Sequence, residues 1–261
     1  MTAYDALPGL NSSTIKALLT SPRAYRYAVT QGREETDAMR RGSAIHCALL
    51  EPAEYPRRYH EAAHPGTTKA GKEERAEAAD RGLVVLSRSD VAVVRAVVSG
   101  VREHDRAPYY LDRIERVEEV IQWTIDGRAC KGRIDAWCAN SVLLGVKTTR
   151  SLARFAWQAT DLHYPLQWAW YHDGLDALGR RPSLVVEIVV ETSPPYDCIC
   201  HVIPDAVLEL GRSHYQTALR LLGECEARDQ WPGAYPGETM LTLPDRAYYE
   251  AHPDEETLAD D

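Results

Sequence analysis

Between residues 117 and 149 the chain reads VEEVIQWTI, then ACKGRIDAW, then SVLLGVKTT, with DG and AN turns between the runs. β-branched and aromatic runs bounded by such turn signals read as consecutive strands. Joints this short fold them into a three-stranded meander. Two further strand-like runs, SLVVEIVVET and YDCICHVI, come later and are joined by a turn holding Pro194 and Pro195. Helical stretches around ARFAWQA and from Tyr164 to Leu178 lie between the meander and these strands. Strands grouped between helices imply one α/β domain with a mixed central β-sheet flanked by helices.

The helices announce themselves by their starts and stops. In LNSSTIKALL the polar Asn11, Ser12 and Ser13 precede apolar Ile15, Leu18 and Leu19, a start with side-chain capping. SPRAYRYAVTQG reads as a second short helix with Pro22 in its first turn. Residues 36 to 50 form a longer, largely apolar helix that stops before Pro52. Residues 51 to 83 are polar and read as an exposed loop followed by a solvated helix. From Ser89 another helix carries Val91, Val94, Val98 and Val101 as its apolar stripe. A last amphipathic helix spans residues 204 to 226. No linker divides the chain, so residues 1–250 are expected to form a single domain. Residues 251–261 are expected to be a disordered acidic tail.

Bulk properties remove several function classes. No apolar run approaches the roughly 20 residues that span a bilayer, so no membrane role is expected. The start, MTAYDALPGL, has neither the basic nor the apolar part of a secretory signal. Cys47, Cys130, Cys138, Cys198, Cys200 and Cys225 form no CxxC pair, which speaks against a zinc ribbon or redox dithiol. They read as reduced thiols of a cytoplasmic protein. A net charge of −9 argues against coating nucleic acid through overall charge, but leaves room for a local basic channel.

Several polar residues stand where apolar ones are expected. In the run 141–149, Gly145 and Lys147 share one face while Val142, Leu144 and Val146 share the other. An unpaired buried lysine is costly, although a strand-end lysine that snorkels to water needs no function. Asp135 on the preceding strand reads equally as a surface acid beside an arginine. His46 lies mid-helix among apolar neighbours, where a histidine is more often a satisfied core residue than a ligand. Gln167 and Tyr171 lie one helical turn apart. Glu118 and Glu119 open the first meander strand, and Glu187 interrupts an apolar strand where a carboxylate needs a partner.

Taken singly these signals are weak, but their order is specific. GSAIHCALLEP, EEVIQW, GRID, VKTT, YPLQWAWY, VETSPPY and GRSHYQTAL follow one another, with CEARDQWPG beyond and LPGLNSSTIKALLTSPRAY in front. From about residue 4 to about residue 245 the chain resembles the PD-(D/E)XK nucleases of the RecE type (exodeoxyribonuclease VIII) of phages and prophages.

That resemblance implies a restriction-endonuclease-like core and a metal-dependent 5′→3′ exonuclease acting on double-stranded DNA ends in recombination. It implies metal ligation by His46, Asp135 and the Val146 backbone carbonyl, with Lys147 activating the attacking water. Gln167 and Tyr171 match the helix lining the DNA side of the site, and Glu118 an upstream acid near the metals. Mg²⁺ suits carboxylate and carbonyl oxygens, and the histidine makes Mn²⁺ a substitute. No iron–sulfur cluster is expected, since the cysteine spacing does not match that of the relatives that carry one. Ser12 and Ser13 at a helix start invite a 5′-phosphate, although capping alone explains them as well. Arg133 is a candidate backbone-phosphate contact. Relatives of this kind form homo-oligomeric rings around DNA and work with a single-strand annealing protein, in a bacterial or phage-infected cytoplasm.

The family pattern breaks at one place. The second motif acid belongs at position 145, where this chain has glycine. Impaired or absent activity is therefore expected, through deliberate inactivation or natural loss. The intact Lys147 and Gln167 favour a recent or engineered change. A takeover of the ligand role by Glu187 or Glu118 is the less favoured explanation. The alternative function is a non-catalytic DNA-end-binding subunit. Restoring an aspartate at 145 is the substitution the sequence suggests for telling the two apart.

Overall fold

The computed structural model describes residues 3–31, 36–235, 237–238 and 240–242. The acidic tail expected over 251–261 lies outside these residues. In chain order the helices that matter are α1 (Ser12–Thr20), α2 (Pro22–Gln31), α3 (Asp37–Leu50), α4 (Lys69–Asp80), α5 (Arg88–Glu103), α6 (Phe155–Asp161), α7 (Tyr164–Ala177) and α8 (Asp205–Arg228). The strands are β1 (Tyr59–Glu61), β2 (Val84–Leu86), β3 (Ile114–Ile125), β4 (Arg128–Cys138), β5 (Val142–Thr149), β6 (Leu184–Glu191) and β7 (Cys198–Val202).

The central sheet has the order β3-β4-β5-β6-β7. β3, β4 and β5 form the expected antiparallel meander. β6 lies parallel to β5 because α6 and α7 carry the chain back across the sheet before β6 begins. β7 returns antiparallel to β6, completing the expected mixed sheet.

Each face of the sheet is covered. Leu144, Val146, Val186, Ile188 and Val190 are fully buried against α3 and α5, through Ala44, Ile45, Val94, Val97 and Val101. Leu143, Val185 and Val189 face the other way, packing with Leu166 and Trp170 of α7 and Leu222 of α8. Burying a side chain of this size stabilises by about 1.5–3 kcal/mol. The stripe of α5 runs through Val91, Val94, Val97 and Val101, with Val98 only packing against its edge. The cap of α1 is Asn11, whose side chain accepts from the Thr14 N–H at 2.9 Å, so neither serine supplies it.

The segment expected to be loop and helix holds more order than that. β1 and β2 pair in parallel, Tyr59 with Val84 through Glu61 with Leu86. Glu74 of α4 reaches back to the chain after β1, accepting from the Ala63 N–H at 2.7 Å and the His64 N–H at 3.0 Å. Strands this short leave too little pattern for a sequence reading to find them. Among the described residues no helix is long and apolar enough to cross a membrane.

Candidate metal centre at a splayed strand pair

The β4–β5 ladder stops at the Ala136–Leu144 pair. One step further on, Asp135 and Gly145 are no longer a ladder pair. The Asp135 carboxylate takes the backbone's place and accepts from the Val146 N–H at 3.0 Å. The Val146 carbonyl is 2.7 Å from Nε2 of His46. His46 reaches it because Ala44, Ile45 and Leu49 anchor α3 against the same face of β5. Side chains from β4 and α3 are thus tied to the backbone of one β5 residue.

The pleat is also broken here. Ile134 packs in the core under α7, whereas Ala136 packs in the core under α3. Simple alternation therefore fails at Asp135. On β3, directly across, Glu118 has a left-handed backbone with φ 48°. A non-glycine residue held there costs about 1–3 kcal/mol and marks a constrained site. Its carboxylate is turned towards Asp135 and His46, and pairs with Arg133 Nε at 2.9 Å.

Ligand atoms of His46, Glu118 and Asp135 all lie within 4.8 Å of one another. Opposite ligands on a Mg²⁺ ion with bonds of about 2.1 Å stand about 4.2 Å apart, so this spacing is close to that of a bound ion. One nitrogen, two carboxylates and an adjacent carbonyl form a donor set that suits Mg²⁺ or Mn²⁺. These residues fit a divalent cation.

Lys147 lies beside this cluster. Its Nζ is 3.8 Å from Asp135 Oδ2 and 3.6 Å from Glu187 Oε1. Burial alone pushes the Lys147 ammonium down, but Glu187 and Asp135 outweigh it and hold the pKa above the usual lysine value. Burial pushes Asp135 up, and Lys147, His46 and the Val146 N–H together bring it below the ordinary carboxylate value. Lys147 is therefore a fixed cation. It is not a proton acceptor near neutral pH.

On α7, Gln167 donates to the Tyr171 hydroxyl at 3.2 Å. The Tyr171 ring packs on Gly132, where a Cβ would stand 2.9 Å from a ring carbon. Ser12 is buried and bonds the Tyr171 side chain, so its hydroxyl supports the site from α1, and Ser13 alone is exposed at that helix start. Arg133 is half-exposed, occupied by Glu118 and stacked 5.4 Å from the Tyr4 ring centroid.

Sequence reasoning gave Glu187 no settled role, and the structure brings it into the cluster. Its carboxylate is 1% exposed and sits beside Gly145, its register partner on the parallel neighbour strand. Trp168 donates its indole N–H to Oε2, while Oε1 has no hydrogen-bond partner. Burial pushes the Glu187 carboxyl up, against the pull of Lys147. The signal in the sequence was the carboxylate inside an apolar strand.

Between the first half of α3, the end of β5 and α6 runs an open cleft of about 560 Å³. Thr148, Arg150, Arg154 and Trp157 line it, Trp157 being 72% exposed. Arg41 also lines it and is held by Asp90 at 2.7 Å.

A mixed sheet with a splayed strand pair carrying Asp135 and Lys147, beside a helical histidine, defines the PD-(D/E)XK nuclease-like class. The chain belongs to the family described as a PDDEXK-like domain of unknown function (DUF3799), whose pattern matches residues 11–239. Its fold is similar to a solved structure from Eubacterium rectale called a "Putative exonuclease". The match has a TM-score of 0.63 at 11% identity and covers 91% of this chain and 90% of that one. No curated protein matches the chain.

Proposed function

We propose that this protein is a divalent-metal-dependent DNA exonuclease that degrades double-stranded ends in the 5′→3′ direction, as its RecE-type resemblance implies. The observation that carries the proposal is the convergence of His46, Glu118, Asp135 and the Val146 carbonyl beside the fixed cation Lys147. A bound Mg²⁺ or Mn²⁺ would supply an activated water and charge stabilisation for phosphodiester hydrolysis. Lys147 places positive charge where negative charge develops on the phosphate. Gln167 and Tyr171 hold each other in position along the wall of the site. Arg150 and Arg154 offer phosphate contacts in the cleft, and exposed Trp157 offers a face for an unpaired base.

In this reading Ser13 and the start of α1 meet the 5′-phosphate, and Arg133 contacts the backbone when DNA displaces Glu118 from it. A homo-oligomeric ring with a basic interior reconciles the net charge of −9 with DNA binding. A single-strand annealing protein is the expected partner, in a bacterial or phage-infected cytoplasm.

The test is digestion of linear duplex DNA labelled at either end, with Mg²⁺ or Mn²⁺. The expected result is release from the 5′-ended strand, lost in Asp135→Asn. A wild-type protein that leaves the duplex intact in both metals defeats the proposal. Gly145 favours one second reading, a DNA-end-binding subunit that does not cleave. A gel shift of 5′-phosphorylated duplex in Ca²⁺, without cleavage in Mg²⁺ or Mn²⁺, is the result that reading requires.

A further inference from the structure

We infer that Glu187 supplies the second metal-binding carboxylate in place of the acid missing at position 145. This inference rests on the nuclease reading for its purpose, but its test does not depend on cleavage.

The absent Cβ of Gly145 is the first observation. A Cβ built there would lie 2.6 Å and 2.7 Å from the two Glu187 oxygens, and 2.9 Å from the carboxyl carbon. Real Cβ contacts essentially never fall below 3.0 Å. The carboxylate of Glu187 therefore occupies space that any other residue at 145 would fill. Glycine is locally unfavourable inside a strand. Here it is the condition for the neighbour strand's acid to enter.

The second observation is a buried carboxylate oxygen that makes no hydrogen bond. Glu187 Oε2 is held by Trp168, which fixes the carboxylate plane. Oε1 is buried with no hydrogen bond, although Lys147 Nζ stands 3.6 Å away. An acid kept only to pair with Lys147 would gain from closing that distance to hydrogen-bonding range. A buried oxygen left without a hydrogen bond is costly, more so when charged.

The third observation is the space in front of it. Asp135, Lys147 and Glu187 share the lining of a small cavity of about 20 Å³ with the apolar Leu143, Leu144 and Val185. That is room for about one water molecule or one ion. Its walls present two carboxylates from different strands, both within 4 Å of the same ammonium. Glu187 does not join the group of His46, Glu118 and Asp135, whose ligand atoms lie within 4.8 Å of one another, but it lines this cavity together with Asp135. Asp135 is then the shared ligand, with His46, Glu118 and the Val146 carbonyl on one side and Glu187 on the other. On this inference the carboxylate missing at position 145 is supplied from β6, so that Gly145 by itself need not impair the site.

Free Mn²⁺ measured by its aqueous spin-resonance signal tests this directly. Wild type is expected to bind two ions per chain, and Glu187→Gln to lose one or weaken it at least tenfold. Gln keeps the Trp168 hydrogen bond and the side-chain volume, so thermal unfolding is expected to change little. Glu187→Ala is the acid-free baseline. Adding Gly145→Glu to it moves the carboxylate back to β5 and is expected to restore the lost ion. Gly145→Asp alone is expected to restore nothing, since its Cβ meets the carboxylate already present.

Unchanged Mn²⁺ stoichiometry and affinity in Glu187→Gln overturns the inference, whatever the cleavage activity. If Glu187→Gln fails to fold, the double variant decides. Recovery of the ion over the Glu187→Ala baseline supports the inference, and no recovery overturns it. A wild type that loses Mn²⁺ on Glu187→Gln but cuts no DNA keeps the inference and removes the nuclease reading. A wild type that cuts DNA, paired with an unaffected Glu187→Gln, does the reverse.

Discussion

Gly145→Ala is the smallest change that tests how Glu187 is seated. The new methyl carbon would stand 2.6 Å from one carboxylate oxygen, and ordinary contact begins at 3.4 Å. The carboxylate must retreat by the difference, about 0.8 Å, against one hydrogen bond and close burial. Trp168 holds Oε2 through its indole N–H, and the side chain is 1% exposed inside a packed sheet. Overpacking of this kind costs about 1–3 kcal/mol. For a chain of this size that is a fall in melting temperature of roughly 2–10 °C. Backbone strain adds nothing, because Gly145 is not among the residues with positive φ. In a Glu187→Ala background the collision partner is gone. The same substitution is then expected to be neutral, or to stabilise by up to about 1 kcal/mol as glycine leaves a strand interior. Denaturant unfolding of wild type, both single variants and the double variant gives the coupling, expected at about 1–3 kcal/mol. A Gly145→Ala cost below about 0.5 kcal/mol that is equal in both backgrounds would refute the placement of Glu187 over Gly145.

Three further outcomes follow from the same geometry. Lys147→Gln removes the cation between Asp135 and Glu187, so Mn²⁺ binding is expected to tighten while cleavage falls by about 10²–10³-fold; parallel loss of both would contradict the role given to Lys147. Arg150→Ala and Arg154→Ala are each expected to weaken duplex binding and lower its salt slope by about one, read by titration at several salt concentrations. Glu74 is held down to about 2 by the Ala63 N–H first and then by His60 and His64. Its contribution is complete above its ordinary value of 4.5 and is lost as pH falls towards 2, so Glu74→Gln is expected to flatten melting temperature against pH in that window.

Much of this architecture is legible in the sequence. The DG and AN turns mark the meander, and the helices start near the polar residues that cap them. His46, Asp135 and Lys147 are separated by up to about a hundred residues, yet their family order brought them to one site. What escaped the sequence is tertiary. Gly145 and Glu187 become neighbours only through the register of two parallel strands joined by a long helical crossover. Read alone, glycine at 145 looks like a lost ligand; beside Glu187 it looks like the space a ligand needs. Glu118 could be placed near the metals by resemblance, but its left-handed backbone is invisible in VEEVIQW. Ser12 and Ser13 looked alike at a helix start, and only packing against Tyr171 separates the buried one from the exposed one.

Anomalous scattering from crystals grown with Mn²⁺ tests the central claim most directly. One peak is expected on Asp135, in contact with His46, Glu118 and the Val146 carbonyl, and a second between Asp135 and Glu187. Peaks at other acids, with none beside Asp135, would contradict it.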